Sequence, residues 1–132
     1  MLTTPEEFLN LVHLDDEQSR QRLRSETAAE SVWESIISKY PQLKRAVTLN
    51  KNLPESILRM LAKDPDPLIR TDIAMKRALP EDIFVLLADD PDEVVRARIA
   101  WNKKTPGNLL LKLAADASQL VSEPAKKQIA EK

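Results

Sequence analysis

A chain of 132 residues with 42% hydrophobic and 31% charged side chains and a formal charge of −1 has the balance of one folded domain, away from both the disordered and the membrane-spanning extremes. The absence of cysteine excludes disulfides, thiolate metal sites, iron–sulfur ligation and thiol nucleophiles, and fits a reducing, cytoplasmic setting. With 4% aromatics and a single glycine, Gly107, strand-rich folds and phosphate-cradling glycine loops are both disfavoured, which leaves helix as the expected element.

In chain order, Thr4-Pro5-Glu6-Glu7 has the sequence of a helix start, with a capping residue, a proline and Glu7 in their places, followed by Phe8, Leu9, Leu11 and Val12. Glu6 and Glu7 stand where a secretory signal would be positive, and no stretch approaches the roughly 20 apolar residues of a membrane helix, so neither export nor membrane insertion is expected. Asp15 to Thr27 is highly charged and fits either a helix or a mobile linker. Ala28 to Lys39, with Val32, Trp33, Ile36 and Ile37 at helical spacing, reads as a helix that stops at Tyr40-Pro41, and Trp33 is expected in the core. Residues 1–43 are read as a helical N-terminal cap with a degenerate leading repeat.

From residue 44 the sequence repeats. Pro54, Pro80 and Pro106 are 26 residues apart, and the same offset relates Leu61, Leu87 and Leu113; Asp64, Asp90 and Asp116; Ile69, Val95 and Val121; and Val47, Ile73 and Ile99. Each period reads as two helices. Proline beside an acidic residue, as in Pro54-Glu55 and Pro80-Glu81, suits a first helical turn, and Ile57, Leu58, Leu61 and Ala62 then form a stripe that recurs as Ile83, Phe84, Leu87 and Ala88. Asp-Pro-Asp at 64–66 and 90–92 ends that helix and supplies an aspartate to cap the next. The second helix is expected to bury Leu68, Ile69, Ile73 and Ala74 in one period and Val94, Val95, Ile99 and Ala100 in the following one. Met75 and Trp101, which align with Leu49, are placed in the core between second helices. Residues 44–121 are thus three tandem repeats, and 122–132 a polar C-terminal cap, a short polar helix at most.

Ile99-Ala100-Trp101-Asn102, Thr105-Pro106, Leu110, Leu113-Ala114 and Asp116 resemble the leucine-rich repeat variant family. The aspartate, apolar residue and arginine at each inner turn (Asp66, Ile69, Arg70; Asp92, Val95, Arg96) are similar to HEAT repeats. The resemblance covers residues 44–121 and implies an all-α, right-handed solenoid of paired helices, and it allows one helix of each pair a tight 3₁₀ form. Lys76 and Arg77 depart from it by replacing the asparagine and its neighbour in the middle repeat, and Ser122 replaces the arginine that would open a fourth.

The raw materials of catalysis are scarce. His13 is the sole histidine, between Val12 and Leu14, and reads as a packed or surface side chain. Asp64, Asp66, Asp90 and Asp92 could serve as paired carboxylates or calcium ligands, but their recurrence in each Asp-Pro-Asp turn favours capping. The chain is read as a non-enzyme without a cofactor, metal or small-molecule substrate.

Stacking would turn equivalent positions into rows. Lys44, Arg70 and Arg96 form one cationic row and Lys51, Arg77 and Lys103 another, with Arg45, Arg98 and Lys104 nearby. These nine residues are the candidate binding surface, for a protein with an acidic patch or, alternatively, for the phosphates of a nucleic acid. A competing reading pairs Arg70 and Arg96 with the turn aspartates of neighbouring repeats. Val85 and Leu111, aligned with Arg59, form a candidate apolar patch. An adaptor, regulatory or immunity-type module follows as the expected function.

Overall fold

A computed structural model describes all residues, Met1–Lys132, as an all-helical chain of ten α-helices and one short 3₁₀ turn. No helix is long and apolar enough to cross a membrane. Two compact units comprise residues 1–60 and 61–132, and the division falls within one helix, α5 (Glu55–Ala62).

In the first unit α1 (Pro5–Leu14), α2 (Glu17–Ser25), α3 (Glu30–Lys39), the 3₁₀ turn Pro41–Leu43 and α4 (Lys44–Thr48) precede α5. The Thr4 hydroxyl accepts from the Glu7 amide at 3.2 Å, and α1 stops at Asp15, which takes the left-handed conformation at φ 48°. The charged segment left open between helix and linker is helical, because Asp16 Oδ1 accepts from the Ser19 amide at 2.7 Å and opens α2. The core gathers Leu2, Phe8, Trp33 and Ile36, all fully buried, with the Phe8 and Trp33 rings edge to face at 5.8 Å. Leu2 reaches it because its amide donates to the Thr27 carbonyl at 2.8 Å, a bridge that no helical periodicity announces.

The second unit holds α6 (Pro67–Ala74), α7 (Glu81–Ala88), α8 (Glu93–Trp101), α9 (Gly107–Ala114) and α10 (Gln119–Glu131). They form two layers, with α6, α8 and α10 side by side in one and α7 and α9 adjacent in the other. Asp66 and Asp92 cap α6 and α8 by accepting from the amides of Leu68 at 2.9 Å and Val94 at 2.8 Å. Asp64, Asp90 and Asp116 each accept from the amide two residues on, at 2.9 Å, which closes the turn between paired helices. Leu61, Leu87 and Leu113 are buried to the same degree, as are Ile73 and Ile99.

Four expectations are corrected. Pro54 and Pro80 sit one residue earlier than a first helical turn, immediately before α5 and α7, where the ring of Pro80 holds an extended conformation and blocks nothing. Leu68 and Val94 are 55% and 43% exposed, because they lie opposite Ile69, Ile73, Val95 and Ile99 on their helices. Met75 and Trp101 share that outer side, 57% and 52% exposed, and are not core. Residues 122–132 are no minimal polar cap: they continue the 13-residue α10, which buries Val121, Ser122, Pro124, Ala125 and Gln128. Small apolar side chains and one amide suffice there, since Gln128 donates to the carbonyls of Ala100 at 2.6 Å and Asn102 at 2.9 Å.

Candidate functional site

The two arginines of the first cationic row are held inside the second unit. Arg70 donates from Nε and Nη2 to Asp90 at 2.8 and 3.1 Å, and its Nη1 reaches the Asp64 carbonyl at 2.8 Å. Arg96 repeats this on Asp116 at 2.8 and 3.3 Å and on the Asp90 carbonyl at 2.8 Å. A planar fork meeting a carboxylate at two points fixes both distance and orientation between consecutive turns. The hydrogen bonds from Arg96 hold the Asp116 carboxyl below its ordinary value against the opposing effect of burial. Side-chain exposures of 14% for Arg70 and 20% for Arg96 leave little of either guanidinium to a ligand.

The remaining candidates stand differently. Lys44 is half-buried and Arg45 exposed on α4, and Lys51 is exposed in the first unit. In the second unit Arg77, Lys103 and Lys104 are exposed in the turns that follow α6 and α8, and Arg98 is exposed on α8. None of these four second-unit side chains enters an ion pair. Val85 and Leu111 are 45% and 66% exposed on the adjacent helices α7 and α9, with Leu86 beside them at 40%. His13 is exposed, and no group of three or more potential metal-ligating side chains converges anywhere in the chain.

A surface that the sequence reading assigned to the core lies on the outer side of the α6, α8 and α10 layer. Leu68, Val94 and Leu120 occupy the first turn of each helix, and Met75 and Trp101 stand two turns later, Met75 as the residue that follows α6 and Trp101 as the last of α8. A rise of about 1.5 Å per residue separates the two rows by about 10 Å. Lys127 closes the second row on α10, its ammonium 5.7 Å from the centre of the Trp101 ring. Trp101 divides two shallow grooves, one of about 470 Å³ towards Lys103, Gln128 and Lys132, the other of about 380 Å³ towards Leu120 and Glu123. The available signal was angular: positions 68, 72 and 75 fall within about 60° of one another on a helical wheel, opposite the buried stripe.

Buried amides link the C-terminal ends of neighbouring helices in this layer. Asn102 Nδ2 donates to the carbonyls of Ala74 at 2.9 Å and Lys76 at 2.7 Å, and its Oδ1 accepts from the Lys104 amide at 3.0 Å. Gln128 continues the pattern one period later. In the first unit Asn50 makes the same three bonds, to the carbonyls of Leu23 and Glu26 and from the Asn52 amide, each at 2.8 Å. Lys76 holds the equivalent place in the middle period, where burial pushes its ammonium below the usual lysine range despite the nearby Asp72 carboxylate.

Comparison with protein-family models, with curated proteins and with solved structures finds no match for this chain.

Proposed function

We propose that the protein is a non-catalytic, cytoplasmic interaction scaffold of the adaptor or regulatory kind, built as a right-handed stack of paired helices with a 26-residue period and akin to leucine-rich repeat variant and HEAT-like proteins. The duplicated Arg–Asp clamps and the recurring amide ladder support the repeat architecture, because equivalent residues make equivalent bonds one period apart. One observation carries the functional reading: five large apolar side chains stand at 43–57% exposure on neighbouring helices, where the packing of the unit gives them no task. Large apolar side chains exposed together on one face mark interaction sites.

Capture from native lysate tests the reading, with the wild-type chain and a Trp101→Glu variant as baits. Trp101 is half exposed, so the variant should melt within a few degrees of wild type, while a protein retained by the wild type should be lost. Recovery of nucleic acid in place of protein, with a steep loss on added salt, would instead establish the phosphate-binding alternative through Arg77, Lys103 and their neighbours.

A further inference from the structure

The two apolar rows of the α6, α8 and α10 layer specify more than a generic sticky surface. They are about 10 Å apart, close to the diameter of an α-helix, while neighbouring helices in a layer are spaced by about 8–10 Å. A helix laid across the layer advances about 10.5 Å in seven residues, so apolar side chains at i, i+7 and i+14, with those at i+3 or i+4 and i+11 between them, would meet α6, α8 and α10 in turn. An extended strand is narrower than the gap between rows and alternates its side chains, so it could satisfy only one row at a time.

Charge is distributed unevenly about this trough. Arg98 stands between the rows on α8, Lys127 lies against Trp101, and Arg77, Lys103 and Lys104 follow the second row. The acids on the same face are Asp72, which interacts with the half-buried ammonium of Lys76, together with Glu123 and Glu131 at the α10 end. The second unit as a whole carries twelve basic and twelve acidic residues, so the cationic margin is local and owes nothing to net charge. Many of the remaining acids are spent at the opposite ends of the second helices, in the caps and clamps of Asp64, Asp66, Asp90, Asp92 and Asp116.

We infer that this trough binds an amphipathic α-helix of a partner protein, its apolar stripe seated between the Leu68/Val94/Leu120 and Met75/Trp101 rows and an acidic flank turned towards Arg77, Lys103 and Lys104. The inference rests on the scaffold reading and specifies the class of partner. Apolar anchoring supplies affinity, and the cations set the orientation of the helix and reject basic segments.

Selection from displayed random 18-residue peptides, with counter-selection on Trp101→Glu, tests the inference directly. Enriched peptides should carry an apolar stripe at i, i+3 or i+4, i+7, i+11 and i+14 with Asp or Glu on one flank, and should become helical on binding. An Arg77→Glu/Lys103→Glu protein should bind the acidic peptides at least tenfold more weakly and enrich peptides with Lys or Arg on that flank. Trp101-dependent peptides that are neutral, basic or non-helical would overturn the acidic-helix assignment while leaving the scaffold reading intact. No Trp101-dependent peptide at all, or self-association of the wild-type chain through this face in sedimentation, would overturn the assignment, and binding of an oligonucleotide alone would remove the scaffold reading with it.

Discussion

The two compact units solve the same problem, joining short helices, with different chemistry. Residues 1–60 depend on a few large, non-repeating side chains: Trp33 and Phe8 meet edge to face, and Leu2 is drawn in by a single backbone bridge. Residues 61–132 contain one large aromatic in the core, Phe84, and instead reuse a device, an arginine fork gripping the aspartate of the next turn. The contrast teaches that a repeated element needs modest side chains if each layer is oriented by a directional bond, whereas a unique junction needs bulk and shape. The outer surface of the second unit is then free to carry apolar side chains that contribute little to folding.

Substitutions can break or sharpen that contrast. The largest expected effect is at Trp33→Ala, where loss of a fully buried indole should cost about 3 to 5 kcal/mol in chemical denaturation. Leu87→Ala, fully buried in the second unit, should cost about 2 to 5 kcal/mol, and an unchanged melting temperature would contradict its place in the core.

Removing one arm of a clamp should have a smaller but pH-specific effect. Arg96→Leu strands the Asp116 carboxylate and should cost about 1 to 3 kcal/mol at neutral pH. Because the folded Asp116 carboxyl is held below its ordinary value of 3.8, the stability it contributes is present above that value and lost as pH falls through the lowered one. The cost of Arg96→Leu should therefore shrink in acid, and a difference from wild type that stays constant from neutral pH to about pH 2 would exclude this linkage.

The smallest effect tests the one irregular rung of the ladder. Lys76→Asn supplies an amide whose oxygen can accept from the Ala78 amide, as Asn50 and Asn102 do two residues on, and removes a half-buried ammonium. A gain of about 1 kcal/mol is expected at neutral pH. Burial lowers the folded lysine below 10.5, so the unfolded chain binds more protons in between, and wild-type stability should climb as pH rises towards 10.5. The gain from Lys76→Asn should narrow over that interval; a gain that widens would reverse the sign of the assignment.

The position of the turns and the buried stripe of the first helix in each period were legible in the sequence, the turns because backbone chemistry is local. Aspartate before and after proline ends one helix and caps the next whatever surrounds it, and Leu61, Leu87 and Leu113 keep their burial at each 26-residue step. Part of the candidate surface could be read the same way: Arg77 and Lys103 fall in turns and are exposed, while the equivalence of Asp64 and Asp90 raised the alternative that arginines are spent between repeats.

What the one-dimensional pattern left undecided was which side of a helix meets another layer. Leu68 and Ile69 are equally apolar neighbours, yet about 100° of rotation separates an exposed side chain from a buried one, and only the presence of α7 and α9 on one side decides between them. The same holds for Leu2 and for the end of α10, which are ordered by carbonyls that belong to residues 25 or more positions away. Apolar spacing and capping residues determined that 67–74 and 93–101 would be helical and partly buried. Contacts between layers decided that Trp101 would face outward, because a helix with two apolar stripes can cover only one of them with its own chain.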